Sequence, residues 1–128
     1  MLALLLSLVG PAPAVDDRVA VLQPSPVAPG ADVELSVTIR ETPEPGAPIE
    51  LRLSSDELAL ADNRFDARDV VDPHAAQPRL RARVSAPTTP GPATVRGELR
   101  WVVCKGEHCR IQRADVTWTL EVVTSAVQ

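Results

Sequence analysis

The strongest constraint on how this chain folds is an alternation of apolar and polar residues on both sides of one short turn. The turn lies inside C-K-G-E-H-C, Cys104 to Cys109. Every second residue is apolar or glycine from Val95 to Val103, and every second residue is apolar from Ala114 to Val122. A period of two is typical of a half-buried strand, because successive side chains point to opposite faces. The pattern therefore predicts a long antiparallel hairpin from Thr94 to Val123, with one face toward a core.

Shorter runs of the same alternation precede this hairpin. Arg18 to Leu22 and Asp32 to Arg40 predict the first two strands, Ile49 to Leu53 predicts a third, and Pro78 to Val84 predicts a fourth. The 13 prolines are spread along the chain and disfavour long helices. About seven short strands with turn residues between them predict an all-β fold. We expect an immunoglobulin-like antiparallel β-sandwich with a cysteine pair at a hairpin tip.

Residues 1–14, M-L-A-L-L-L-S-L-V-G-P-A-P-A, have the features of a secretory signal peptide. An apolar run leads to a Gly-Pro break and then to Ala12-Pro13-Ala14, small residues of the kind found at signal-peptidase sites. The run is too short to span a bilayer, so we expect no transmembrane segment. The sequence predicts a periplasmic or secreted protein whose domain is residues 15–128. Export to an oxidising compartment would also permit a disulfide.

Charge and motifs argue against several classes of function. The formal net charge is −4, which argues against nucleic-acid binding. No Ser-His-Asp arrangement, glycine-rich phosphate loop or paired-carboxylate motif indicates hydrolysis or nucleotide chemistry, and we expect no cofactor. Five aspartates lack the spacing of a calcium loop, and we interpret them as solvated loop residues. They are Asp56, Asp62, Asp66, Asp69 and Asp72.

The only two cysteines, Cys104 and Cys109, can close a disulfide across the hairpin. If the strands are regular, parity places both cysteines on the face that points away from the core. Direct pairing would then oppose like charges, Arg100 against Arg113 and Glu98 against Asp115. Diagonal ion pairs or a β-bulge could relieve that repulsion. Because a cross-link over so short a loop gains only about 2 kcal/mol, stability alone is a modest reason for the bond.

The residues beside the sulfurs favour an exchangeable disulfide. Lys105, His108 and Arg110 would stabilise a thiolate, and Glu107 opposes them. A partner's thiolate could therefore attack the pair.

A metal site is the competing interpretation of these residues. Its ligands would be Cys104, Cys109 and His108, with His74 if the fold brings it near. The cysteine spacing lies at the outer limit for zinc pairs and no second pair exists, so we expect no metal.

Two stretches resemble a known family. They are V-S-A-P-T-T-P-G-P-A-T-V-R-G-E-L-R-W-V-V-C-K-G-E-H-C, which begins at Val84, and P-V-A-P-G-A-D-V-E-L-S-V-T-I-R, which ends at Arg40. Together they resemble the N-terminal domain of DsbD-type thiol:disulfide interchange proteins. The family usually carries prolines after the second cysteine, where this chain has Arg110-Ile111-Gln112.

The resemblance implies an immunoglobulin-like periplasmic domain that receives electrons from a membrane partner and passes them to thioredoxin-fold proteins. By position, Cys109 would form mixed disulfides with partners and Cys104 would resolve them. Phe65 would match the residue of that family's cap loop that shields the cysteine pair.

Two hypotheses about function follow. In the first, Cys104 and Cys109 relay electrons to or from thioredoxin-fold partners, with a separate membrane carrier as a further partner. The domain would then be a component of a protein-disulfide reductase-type relay rather than a stand-alone enzyme. In the second, the chain is a non-catalytic exported binding module with a structural disulfide.

Overall fold

The computed structural model describes residues 16–124, which form seven strands and one short 3-10 helix. The strands are β1 (Val19–Leu22), β2 (Asp32–Ile39), β3 (Glu50–Ser54), β4 (Arg64–Asp66), β5 (Arg79–Ser85), β6 (Gly91–Lys105) and β7 (His108–Val122). The 3-10 helix is Ala67–Asp69, between β4 and β5. The proposed signal peptide, residues 1–14, lies outside the described residues. Within residues 16–124, no helix is long and apolar enough to cross a membrane.

The strands form two antiparallel sheets that share one hydrophobic core. The first sheet has the order β1-β2-β5 and the second has the order β4-β3-β6-β7. Side chains from both sheets, with Leu58 and Ala86 from the connecting segments, form a single buried cluster. The all-β prediction is therefore confirmed as two antiparallel sheets.

Alternation in the sequence correctly predicted which side chains are buried. On β5, Leu80, Ala82 and Val84 are buried while the arginines between them are exposed. Trp101 and Trp118 are fully buried on the inner face of the long hairpin. The fold differs from the prediction at β4, which has only three residues and one buried side chain and so offers no alternation to detect.

Gly97 lies where β6, β7 and β3 are most closely packed. A Cβ at this position would lie 2.9 Å from Val116 Cγ2, 3.0 Å from Leu51 Cδ1 and 3.1 Å from Trp118 Cζ3. The first two contacts are with short aliphatic side chains inside the core, which have little room to move.

We therefore expect Gly97→Ala to lower the free energy of unfolding by about 1–3 kcal/mol through overpacking. Urea denaturation would measure the change, with the exposed Thr117→Ala on the neighbouring strand as the control. Equal midpoints for Gly97→Ala and the wild-type protein would show that the core here is looser than described.

Candidate functional site

The cysteine pair lies at the end of the β6–β7 hairpin, just before a two-residue turn. Lys105 pairs with His108, which leaves Gly106 and Glu107 as the central residues of the turn. Gly106 has a φ of 59°, and no residue other than glycine has a positive φ among the described residues. Positive φ at the first central position alone is the pattern of a type II′ turn, whose twist matches that of the flanking strands. The glycine therefore allows the tight connection that brings the cysteines together.

Cys104 and Cys109 are bonded to each other in this structure. They are directly opposed in the strand register, their Cα atoms lie 3.9 Å apart, and the described residues contain no free cysteine. Because Lys105 and His108 close the turn as a hydrogen-bonded pair, the cysteines form the next pair, which exchanges no backbone hydrogen bonds. Side chains are closest at such pairs. The geometry agrees with the disulfide that the sequence predicts.

Both cysteines lie on the outer face of the hairpin, as strand parity predicts. The β6 residues on the opposite face, from Ala93 to Trp101, are buried at every second position. Cys109 is exposed and Cys104 is half-buried. The more exposed residue is thus the cysteine that the family resemblance assigns to partner contact.

The hairpin register also decides how the like charges are arranged. Pairing runs without interruption from Gly91↔Val122 to Lys105↔His108, so no bulge shifts the strands. Arg100 therefore does lie opposite Arg113, and Glu98 does lie opposite Asp115. No diagonal ion pair forms between these four side chains. Neither of the two ways of relieving the repulsion is present.

A small apolar surface adjoins the disulfide. Val102 and Ile111 form the next directly opposed pair on the same face, and 66% of the surface of Ile111 is exposed. We call Val102, Cys104, Cys109 and Ile111 the tip surface. Parity indicates that Ile111 faces outward, and it is one of the three residues that stand where the resembled family usually carries prolines. An exposed isoleucine beside an exposed disulfide suits contact with another protein.

The outer edge of β7 is covered along most of its length but open beside Cys109. Val27 pairs with the strand near its end, Gln23 bonds Thr117 and Thr119, and Arg18 donates a 2.6 Å hydrogen bond to the Arg113 carbonyl. No described residue bonds the outward backbone groups of Cys109 or Ile111. A partner can therefore approach the exposed cysteine from the strand edge.

Arg18 holds the hairpin in place at Trp101 and Arg113, where it leaves the core. Its guanidinium lies 5.4 Å from the centre of the Trp101 ring and donates hydrogen bonds to Asp16. Those hydrogen bonds stabilise the carboxylate and lower the pKa of Asp16. Trp101 Nε1 in turn donates to Glu41 Oε1 at 2.8 Å, so the hairpin is held where it leaves the core.

Phe65 does not shield the cysteine pair, so that prediction is wrong. It lies in β4 opposite Leu51 and is buried in the core. Leu51 in turn pairs with Leu99, five residues from Cys104 and hence about 17 Å away along β6. Phe65 therefore belongs to the hydrophobic core.

The residues considered as metal ligands do not form a cluster. Among residues 16–124, no group of three or more His, Cys, Asp or Glu side chains is placed to hold a metal ion. Four of the five aspartates have other partners. Asp66 and Asp69 cap the 3-10 helix, and Asp56 pairs with Arg96 at 3.4 Å. Asp72 accepts a hydrogen bond from the His74 backbone.

The structure also contains an apolar groove that the sequence did not reveal. It has a volume of 470 Å³ and lies between two proline-rich loops, residues 42–49 and 67–78. Glu44 lines it and donates a 2.8 Å backbone hydrogen bond to the Val102 carbonyl, which connects the groove wall to the tip surface. His74 lies in this groove.

No protein-family model, no curated protein and no solved structure matches the chain. The resemblance to DsbD-type N-terminal domains stays a prediction, based on the residues quoted above.

Proposed function

We propose that this chain is an exported, immunoglobulin-like domain that exchanges electrons with thioredoxin-fold proteins through the Cys104–Cys109 disulfide. The observation that carries the proposal is the position of the bond: it lies on the outer face of a hairpin tip, with Cys109 exposed beside an open strand edge. Exposed disulfides are the ones that exchange readily, whereas structural ones are usually protected.

The order of the strands supports the immunoglobulin-like part of the proposal. A constant-type immunoglobulin domain places its fourth strand beside the fifth, in the sheet of the first strand. Here the sheets are β1-β2-β5 and β4-β3-β6-β7, the same arrangement with the fourth strand moved to the edge of the other sheet. Only the edge position of one short strand differs, so the proposed fold is a sandwich of this architecture.

The exchange would begin at Cys109. A partner thiolate attacks Cys109 Sγ, a mixed disulfide forms, and Cys104 Sγ leaves as a thiolate. The partner's second thiol then attacks the mixed disulfide, which leaves Cys109 reduced and the partner oxidised by two electrons. In the opposite direction, the Cys109 thiolate attacks the partner's disulfide and Cys104 resolves the intermediate. A separate membrane electron carrier would supply the electrons in a periplasmic setting.

The charges near the pair support this chemistry. Lys105, His108 and Arg110 are exposed around the tip, with Glu107 as the one acidic residue there. Nearby positive charge stabilises a thiolate, whether it is the leaving group or the nucleophile.

The reduction potential of the pair tests the proposal. We expect a value between about −120 and −300 mV, which covers known exchanging pairs, when the protein is equilibrated in thiol–disulfide buffers and its alkylated thiols are quantified by mass spectrometry. A value well below about −300 mV would identify a structural disulfide and reject the relay.

The second candidate is a non-catalytic binding module in which the disulfide only pins the hairpin. The groove between the two proline-rich loops favours it, because concave apolar surfaces of this size are typical of ligand sites. This candidate predicts that substituting both cysteines with serine lowers stability and leaves ligand binding intact.

A further inference from the structure

Two arginines on the outer face of the hairpin lie opposite each other without an acidic partner in the part of the chain that the structure describes. Arg100 and Arg113 are directly opposed across β6 and β7, two pairs below the disulfide and on the same face. Like the cysteines, they belong to a pair without mutual backbone hydrogen bonds, where side chains are closest. Opposed like charges destabilise a hairpin. The arginine pair therefore lowers the stability of the hairpin unless an anion lies between the two guanidiniums.

The acidic residues around the pair do not supply that anion. Glu50 lies opposite Arg100 on the neighbouring strand, but it pairs with Arg52 at 3.4 Å and Arg64 at 3.0 Å. Glu98 and Asp115 are opposed to each other in the next pair on the same face of the hairpin. Among residues 16–124, no carboxylate forms an ion pair with Arg100 or Arg113.

Arg100 also has an unsatisfied hydrogen-bond donor. Its Nε is buried and has no hydrogen-bond partner among the described residues. Arg113 is exposed beside it. A buried donor without a partner is unfavourable, and a charged acceptor is the group that best satisfies a guanidinium.

We propose that Arg100 and Arg113 together bind a carboxylate, the side chain of an Asp or Glu on the protein that exchanges disulfides with Cys109. The proposal rests on the proposed function for the identity of the partner. Arg100 is four residues from Cys104, about 14 Å along β6. A protein interface of ordinary size covers both positions. Val102 and Ile111 lie between the disulfide and the two arginines on the same face, so the site has a reactive end, an apolar middle and a cationic end.

The first experiment uses peptides and does not require disulfide exchange. The arginine Nε–Hε resonances of the intact protein are followed by NMR during titration with a short extended peptide that contains Glu, and with the same peptide carrying Gln. We expect the Glu peptide to shift the Arg100 and Arg113 signals at least about twofold more than the Gln peptide, because a carboxylate accepts two charged hydrogen bonds. Equal shifts with both peptides would overturn the carboxylate site.

The second experiment measures the rate of exchange with a thioredoxin-fold protein at low salt. We expect the double variant Arg100→Gln with Arg113→Gln to react about tenfold more slowly, and the double Lys variant to recover part of the rate. Reduction by the small molecule dithiothreitol should be nearly unchanged, since its attacking thiolate does not contact the arginines. The matched control is Arg96→Gln, which lies on the same face but is already paired with Asp56.

Stability gives a readout that a purely structural role would not produce. Relief of the opposed charges should raise the melting temperature of Arg113→Gln by about 1–3 °C while exchange becomes slower. If the thioredoxin-fold protein never reacts but the Glu peptide still binds, the relay fails and the carboxylate site stands. If exchange proceeds at the wild-type rate in the double Gln variant, the carboxylate site fails and the relay stands.

Discussion

Replacement of Cys104 with alanine should convert Cys109 into a trap for the proposed redox partner. The Cys109 thiolate can still attack the disulfide of a thioredoxin-fold protein, but the residue that would resolve the mixed disulfide is absent. We expect one covalent complex on a non-reducing gel, which dithiothreitol dissolves, together with near-complete loss of electron transfer. Mass spectrometry would locate the bond at Cys109. The expected effect is large because the chain has no third cysteine to substitute for Cys104.

The reciprocal variant is the matched control. In Cys109→Ala the remaining thiol belongs to Cys104, which is half-buried rather than exposed. Because attack requires access to the sulfur, we expect this variant to capture partner about tenfold less efficiently. Equal capture by both variants would remove the distinction between contact and resolving cysteines. Absence of capture by either would favour the structural disulfide.

The sequence predicted the orientation of the cysteines correctly because orientation in a strand depends only on parity. Once the hairpin turn is located, the face of Cys104 follows from its distance to Trp101, provided that no bulge intervenes. The absence of a bulge was not predictable, since the like charges at Arg100 and Arg113 argue for one. The buried inner face outweighs that repulsion: a shift of one residue would expose Trp101, Leu99 and Val95.

The features that the sequence did not predict arise from contacts between distant segments. The groove is formed by two loops whose prolines indicate turns but not which other loop lies opposite. The open edge beside Cys109 depends on residues 18–27, whose contact with β7 nearest the tip joins Arg18 to Arg113, 95 residues apart in the chain. The assignment of Phe65 failed for a different reason: a residue in a three-residue strand gives no periodic signal that it is buried.

Trp118→Ala should produce the largest loss of stability of any substitution considered. Trp118 is fully buried in β7, and its Nε1 donates a 3.1 Å hydrogen bond to the Ser36 carbonyl in β2. It therefore joins the two sheets through both packing and a polar contact. Truncation of a buried tryptophan costs about 3–5 kcal/mol. Since domains are stable by only about 5–15 kcal/mol, part of the population should unfold at moderate temperature.

Denaturant unfolding of three variants would separate these contributions. Trp118→Phe keeps one six-membered aromatic ring but removes the hydrogen bond to Ser36. We expect its free energy of unfolding to be lower by about 1–2 kcal/mol. Ile111→Ala, on the same strand but exposed, should change stability by less than about 0.5 kcal/mol. A Trp118→Ala protein as stable as Ile111→Ala would show that β7 does not pack against the other sheet as described.

The size of the Trp118 effect bears on the function of the hairpin tip. A cross-link over the short loop between Cys104 and Cys109 contributes only about 2 kcal/mol, less than the expected contribution of this one side chain. The part of the hairpin below the tip is therefore held by core packing and by the contacts of Trp101 with Arg18 and Glu41. These contacts do not depend on the disulfide. Reduction should leave the fold intact and keep Cys109 in position. A domain that alternates between its oxidised and reduced forms requires that independence.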